Sequence, residues 1–240
     1  MRKLMCIVAH PDDECFGFGG ALALAAQAGV EVHVVCLTDG QAATNRGESN
    51  DAAELGRMRR DELARSCKVL GVAHHELLHF QDGHLEHHSL HDLAQPLVQR
   101  IRSVQPEAVV TFGLDGGLNA HADHTSVSAA ASAAFHWSMR SNRYPELGAP
   151  FLPQRLYHLS SDFTFPDRQP VHPAPWNVRL DISSVRQLKE QAFLEHTSQV
   201  PVFDKIKPFW DRFGAFEYYL QQAGPGDAHA STPSDTMFPG

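Results

Sequence analysis

The chain has 240 residues, and 42% of them are hydrophobic, which is enough for one sizeable buried core. Its formal net charge of −8 argues against a nucleic-acid partner, because binding to a phosphate backbone needs clustered Lys and Arg. No uninterrupted apolar stretch approaches the ~18 residues of a membrane span, so we expect no membrane partner. The 4 cysteines form no C-x-x-C pair, a pattern typical of free thiols in a reducing compartment, and we therefore expect a cytoplasmic protein.

Apolar periodicity and helix-stop residues predict an alternation of strands and helices. In chain order the predicted elements are a strand at 3–9, a helix at 18–28, a strand at 30–38, a helix at 51–70, a strand at 107–112, a helix from about 121 to 139, a strand near 155–159 and a helix at 185–196. This alternation is typical of an α/β fold with a mostly parallel sheet and helices on both faces. Ligands of such sheets bind beyond the carboxyl ends of the strands, so we expect the chemistry there.

The sequence shows no clean internal boundary and no repeat, and we expect one domain over residues 1–223. The segment 224–240 is rich in Gly, Pro, Ser, Thr and Asp and has almost nothing to bury. That composition predicts a disordered tail.

A first polar motif follows the first predicted strand directly, where the buried strand ends and a loop begins. It is the run His10-Pro11-Asp12-Asp13-Glu14. A His and a carboxylate three residues apart on a turn can point at one ion, and Zn²⁺ accepts both ligand types. The alternative is a solvated acidic loop that caps the next helix, since Asp is common at helix N-termini.

A second motif, His121-x-Asp-His124, follows the strand at 107–112 and opens the next helix. Two His residues three apart share one helical face, and the carboxylate between them can orient an imidazole. By itself the pair could be a capped helix start. Two such clusters at one sheet edge, with three ligands and one open position, are typical of a catalytic zinc site.

Together these residues resemble the LmbE/PIG-L deacetylase family. The resemblance extends to further short motifs along the chain: Thr38-Asp-Gly40, Arg59-x-x-Glu62, Leu70-Gly-Val72, Asp82-Gly83 and His196-x-Ser-Gln199. It implies a Rossmann-like fold and a zinc ion held by His10, Asp13 and His124, with Fe²⁺ left open as the native metal. It also implies removal of the N-acetyl group from a small N-acetylglucosaminyl conjugate, and it leaves a homo-oligomer open.

The resemblance assigns roles to the other polar residues of the motifs. Asp12 is expected to be the general base, and His121 is expected to stabilise the oxyanion. Asp123 is expected to orient its neighbouring His. Arg59 and Glu14 are expected to bind substrate.

Three positions depart from the family pattern. Ala120 and Ala122 stand where many members carry Gly and Pro, and Asn119 stands where some carry Tyr. The departures leave the metal ligands intact but leave the identity of the general acid open.

Two other motifs suggest rival functions. The sequence His75-Glu-Leu-Leu-His79 matches the zincin protease pattern, but only a short segment between Gly71 and Asp82 surrounds it, and we predict a strand there. Gly17-Phe-Gly19-Gly20 resembles a degraded dinucleotide fingerprint, which is the alternative of a nucleotide-binding oxidoreductase or binding module. The third glycine of that fingerprint would fall on Leu22, which argues against it.

Overall fold

The computed structural model describes residues 1–163, 175–225 and 232–238. Seven strands form one sheet: β1 Lys3–Val8, β2 Glu31–Thr38, β3 His74–Phe80, β4 Ala108–Thr111, β5 Arg155–Ser160, β6 Val178–Asp181 and β7 Phe216–Ala223. Their order across the sheet is β3-β2-β1-β4-β5-β7-β6. The first five in that order pair in parallel, and β7 runs antiparallel to both of its neighbours. The fold is therefore a mostly parallel α/β sheet of the Rossmann-like kind, as predicted.

The helices form two groups, of which one holds α4 and α5 and the other the rest. They are α1 Asp13–Phe16, α2 Gly19–Gln27, α3 Ala52–Leu70, α4 Leu90–Val104, α5 Ala122–Ser138, α6 Arg186–Leu194 and α7 Val200–Phe213. Local sequence fixes the ends of the longest one. The Asp51 carboxylate accepts the Glu54 N–H at the start of α3, and Gly71 ends α3 with a left-handed φ of 75°. None of the helices among the described residues is long and apolar enough to cross a bilayer.

The sheet order changes direction between β1 and β4. From β1 the chain continues outward to β2 and β3, and it then returns to add β4 on the other side of β1. The loops after β1 and β4 therefore diverge to opposite faces and leave a crevice at the carboxyl edge between them. Both polar motifs follow these two strands, so the topology brings them to the same crevice.

The carboxyl-terminal part of the chain differs from the sequence prediction. β6, α7 and β7 were not predicted, and residues 232–238 of the predicted disordered tail lie on the sheet. Ser234 bridges β6 through Val178, the Met237 side chain is buried, and the Tyr157 hydroxyl donates to the Met237 carbonyl at 2.8 Å. These contacts come from one buried Met and two backbone hydrogen bonds of Ser234, and the disorder of the tail stays a prediction. Residues 226–231 and 239–240 lie outside the described residues.

The glycine-rich segment after β1 does not form a nucleotide site. A phosphate would sit on the free N–H groups at the start of α2. There the N–H groups of Gly20 and Ala21 donate to the carboxylate of Glu217, at 2.7 and 2.8 Å. A Cβ on Gly20 would lie 2.4 Å from Ile182, so this glycine permits close helix packing. A buried protein carboxylate thus occupies the anion position, which argues against the dinucleotide alternative.

A buried histidine on β5 makes the fold acid-sensitive. Burial lowers the pKa of His158 to about 4, and its Nε2 lies 2.9 Å from the Ser132 hydroxyl. Between pH 6.5 and 4 the unfolded chain takes up a proton that the folded chain refuses, so the free energy of unfolding falls as the pH falls. Between pH 7 and 5 we expect the free energy of unfolding to fall by about 2 kcal/mol less in His158→Gln than in the parent. Urea unfolding at both pH values measures it, and equal losses in parent and variant would contradict it.

Candidate metal centre and active site

The first motif brings His10 and Asp13 together just beyond β1. The Asp13 carboxylate accepts the His10 backbone N–H at 2.8 Å, and the same oxygen lies 3.4 Å from His10 Nδ1. Its other oxygen lies 3.1 Å from Nε2 of His124, which α5 supplies from its first turn. All three side chains are at least nine-tenths buried. The three residues predicted as ligands therefore meet at the crevice.

The second nitrogen of each imidazole is already engaged. His10 Nε2 lies 3.0 Å from an Asp82 oxygen and 3.2 Å from an Asp123 oxygen. His124 Nδ1 lies 3.0 Å from the Gly116 carbonyl, which fixes the proton on that nitrogen. These contacts leave His10 Nδ1 and His124 Nε2 free on the side of Asp13. Two oriented imidazoles and a carboxylate suit a divalent ion such as zinc, and the outer hydrogen bonds are those that metal-binding His residues usually make.

His121 lies at the same place with its side chain more exposed. Its ring centroid is 4.8 Å from that of His10 and 5.1 Å from that of His124. The three imidazoles could also hold an ion, because their nitrogens lie within 4.8 Å of one another. Asp13 is the better third ligand, since its two oxygens face the free nitrogens of His10 and His124 and its negative charge offsets that of the cation.

Burial and neighbouring groups shift the pKa values of His10, Asp13 and His121. Burial alone would lower the pKa of His10, but hydrogen bonds to Asp123, Asp13 and Asp82 raise it well above its ordinary value. Burial would raise the pKa of Asp13, yet the two imidazoles hold it well below its ordinary value. Burial, followed by the neighbouring imidazoles, lowers the pKa of His121. His121 is therefore neutral at pH 7.

Asp12 precedes the predicted ligand Asp13 and is less buried. Burial raises the pKa of its carboxyl group to about 6 although the nearby Arg59 guanidinium acts in the opposite direction. The Arg59 Nη2 to Asp12 Oδ2 distance is 2.9 Å. A partly exposed carboxylate with a pKa near neutrality is suited to take up a proton.

The predicted substrate contacts of Arg59 and Glu14 stay predictions, and both side chains are buried. Arg59 is 3% exposed and donates to the carbonyls of Pro11 and Gly40 as well as to Asp12. Glu14 is 0% exposed. Both side chains use polar atoms in hydrogen bonds within the protein.

Asp123 also contacts a different histidine from the one expected. Its carboxylate bonds His10 and accepts the N–H groups of Gly83 and Leu85, at 2.7 and 3.1 Å. Its link to His121 is through the backbone, where the Asp123 N–H donates to His121 Nδ1 at 3.2 Å. At the start of a helix the side chain at the second position turns toward the neighbouring loop, so Asp123 orients His10 instead of His121.

Asp82 belongs to a motif shared with the family, but its sequence context predicts no role for it. The structure places its carboxylate on His10, with its second oxygen accepting the Ala42 N–H at 2.9 Å. The signal was its position directly after the end of β3, at the edge where the other polar motifs lie.

The sequence His75–His79 lies on β3, as predicted, and not on a helix. In an extended strand two residues four apart are about 13 Å apart, too far to share an ion. We therefore expect His75→Ala and His79→Ala to keep parental metal content and turnover. Elemental analysis and a rate measurement test this, and loss of metal from a folded variant would restore the protease interpretation.

Several known proteins are similar to this chain in sequence and fold. The family model PIG-L, described as GlcNAc-PI de-N-acetylase, matches residues 5–135. The chain is 29% identical over 243 residues to a 1D-myo-inositol 2-acetamido-2-deoxy-alpha-D-glucopyranoside deacetylase of Rhodococcus jostii, with 84% of this chain and 82% of that protein covered. It is 28% identical over 214 residues to a diacetylchitobiose deacetylase of Thermococcus kodakarensis, with 89% and 75% covered. The solved structure of N,N′-diacetylchitobiose deacetylase from Pyrococcus horikoshii superposes with a TM-score of 0.77 at 26% identity, with 91% and 82% covered.

Proposed function

The chain belongs to the PIG-L (GlcNAc-PI de-N-acetylase) family, and from this premise we propose that it removes the N-acetyl group from a small N-acetylglucosaminyl conjugate. One observation carries the proposal. Two oriented imidazole nitrogens, from His10 and His124, face the two oxygens of Asp13 in a crevice that also holds a partly exposed carboxylate and a neutral imidazole. Those are the groups that hydrolysis of an amide requires.

His10, Asp13 and His124 would hold the metal ion, which we propose to be zinc. When bound, such an ion lowers the pKa of water to about 7 and polarises a carbonyl group. Asp12 accepts the proton of the attacking water, because its carboxylate is the partly exposed one beside the ligands. Arg59 keeps this carboxylate in place from behind.

His121 is proposed to stabilise the negative charge that develops on the amide oxygen. Its Nδ1 accepts the Asp123 N–H, so the proton of the neutral ring is on Nε2, where it can be donated. Asp82 and Asp123 do not touch substrate in this scheme. They orient His10, and through it one side of the metal site.

We expect His121→Ala to keep the metal and to lower kcat about 10²–10³-fold, as loss of one oxyanion donor does. Metal content and kcat are measured on the same preparation. A variant with the parental rate would show that His121 is misassigned, and a variant without metal would make His121 a ligand.

Acetate release tests the proposed function directly. The panel consists of N,N′-diacetylchitobiose, 1D-myo-inositol 2-acetamido-2-deoxy-α-D-glucopyranoside and free N-acetylglucosamine. The first two are included because relatives of this chain are named as deacetylases of these compounds. We expect stoichiometric acetate and free amine from at least one conjugate, and about one divalent ion per chain by elemental analysis. Protein that holds its metal and releases no acetate from any member would contradict the proposal.

Four buried free thiols accord with the proposed cytoplasmic location.

A further inference from the structure

The backbone of Asp12 has an unusual conformation. Its φ of 113° and ψ of −27° are in a region that residues with a side chain rarely adopt. Such a conformation persists only where the surrounding structure over-determines it. Asp12 stands at the N-cap of α1, yet its side chain makes no capping hydrogen bond. Contacts other than a side-chain cap must therefore hold it.

Two buried side chains supply those contacts. The Asp12 N–H donates to Glu14 Oε2 at 2.9 Å. On the other side, Arg59 donates to the Pro11 carbonyl and to the Asp12 carboxylate. The peptide group before the Asp12 Cα is thus held at both its carbonyl and its N–H, and Arg59 also holds the carboxylate.

Glu14 is itself held rigidly. Its other oxygen, Oε1, lies 2.6 Å from the Ser66 hydroxyl and 2.7 Å from Nε2 of His196. Glu14, Ser66 and His196 are each 0% exposed. A carboxylate that uses both oxygens in a fully buried network has little freedom to turn, so it presents a fixed acceptor to Asp12.

One face of α3 organises this network. Arg59, Glu62 and Ser66 follow at spacings of three and four residues, which places them on the same side of the helix. Glu62 accepts the Ser198 N–H at 2.8 Å and the Ser198 hydroxyl at 2.7 Å. These bonds fix the turn that carries His196. The back wall of the site is therefore a single helix face that reaches Asp12 by two routes.

We propose that Glu14 is a positioning residue, which accepts the Asp12 N–H and thereby holds the Asp12 carboxylate where it takes up the proton of the attacking water. The proposal rests on the role given to Asp12 in the proposed function. It replaces the substrate contact that the sequence suggested for Glu14.

The test measures Glu14→Ala with N,N′-diacetylchitobiose as the probe. We expect kcat to fall about 10–100-fold, the usual effect of losing an outer hydrogen-bond partner, with KM and metal content close to the parent. Glu14→Gln keeps the size of the side chain but has one acceptor oxygen where Glu14 uses two, so a smaller loss of kcat is expected. It serves as the test variant if Glu14→Ala does not fold.

A double-mutant cycle separates positioning from a general loss of structure. In the Asp12→Asn background the Glu14 substitution should lower kcat by less than about 2-fold, because the group it positions has been removed. Asp12→Asn could be slow and the Glu14 substitution could still lower its kcat by the same factor as in the parent. That result would overturn the positioning role of Glu14 and leave the role of Asp12 intact. A parental rate in Asp12→Asn would overturn the role of Asp12 and this proposal with it. Loss of metal from the Glu14 variants would overturn the proposal by placing their effect on Asp13.

Glu217 offers a matched control. It is another buried carboxylate, 4% exposed, and it accepts from Lys189 at 2.6 Å and from Tyr219 at 2.7 Å without touching the Asp12 turn. Glu217→Gln should lower the Tm and leave kcat unchanged. Equal losses of kcat in the Glu217 and Glu14 variants would show that both act through stability and would overturn the proposal.

Discussion

Asp12→Asn is expected to leave the protein folded and fully metallated while kcat falls about 10²–10⁴-fold, the range for loss of a general base. Asn has the shape of Asp and can still accept a hydrogen bond from Arg59, but it cannot take up a proton at neutral pH. The Asp12 carboxylate lies outside the group of atoms that face His10 and His124, so its loss does not remove a metal ligand. The kcat and metal content of one preparation measure the effect, and added Zn²⁺ should not restore activity.

Asp39→Asn is the control for this substitution. Asp39 also lies just beyond a strand at the carboxyl edge of the sheet, and it pairs with Arg60 at the same 2.9 Å as Asp12 with Arg59. Its loss removes an Asp–Arg pair without removing the proposed base, so kcat should stay within a few-fold of the parent. A large loss of kcat in both variants would attribute the effect to the ion pair and not to proton transfer.

The sequence was sufficient to predict that the three proposed metal ligands meet, because each follows its strand or opens its helix locally. His10 comes two residues after β1, and His124 lies in the first turn of α5. Once a parallel sheet is predicted, the strand ends must share an edge, and the meeting of these side chains follows. Asp82 satisfied the same condition after β3, but only the structure shows its contact with His10.

Roles that depend on distant contacts could not be predicted in this way. The partners of Glu14 come from 52 and 182 residues further along the chain, and Arg59 reaches back 48 residues to Pro11. Nothing in the local pattern distinguishes a carboxylate that faces the crevice from one that faces the core. The family resemblance identified the motif at residues 10–14, but it could not show which side of the turn each of these residues occupies.

The departures from the family pattern have a structural meaning. Ala120, where many members carry Gly, has a left-handed φ of 51°, which is the conformation that Gly adopts at least cost. Ala122, where many carry Pro, is the first residue of α5, a position that Pro favours. The backbone that suits Gly and Pro has therefore been kept with less favourable residues. The departures affect local stability beside His121 and leave the ligand set unchanged.

Asp13→Asn should fail in a different way from Asp12→Asn. The amide retains the shape of the carboxylate but is neutral, and one of its two ends is an NH₂ group that cannot coordinate a cation. In the parent, both oxygens of Asp13 face imidazole nitrogens that have no other partner among the described residues. We therefore expect the purified variant to hold much less metal and to have low activity. Excess Zn²⁺ should restore part of that activity, because His10 and His124 remain.

Dialysis against a weak chelator, elemental analysis and a titration of kcat with Zn²⁺ distinguish the two neighbouring aspartates. The two side chains are one residue apart, but the left-handed backbone at Asp12 turns them in different directions, one to Arg59 and one to the imidazoles. A change at position 13 therefore acts on metal affinity, and zinc added to the assay compensates for it. A change at position 12 acts on proton transfer, which added zinc cannot replace. A metal-replete Asp13→Asn beside a metal-poor, zinc-rescued Asp12→Asn would mean that the two roles are reversed.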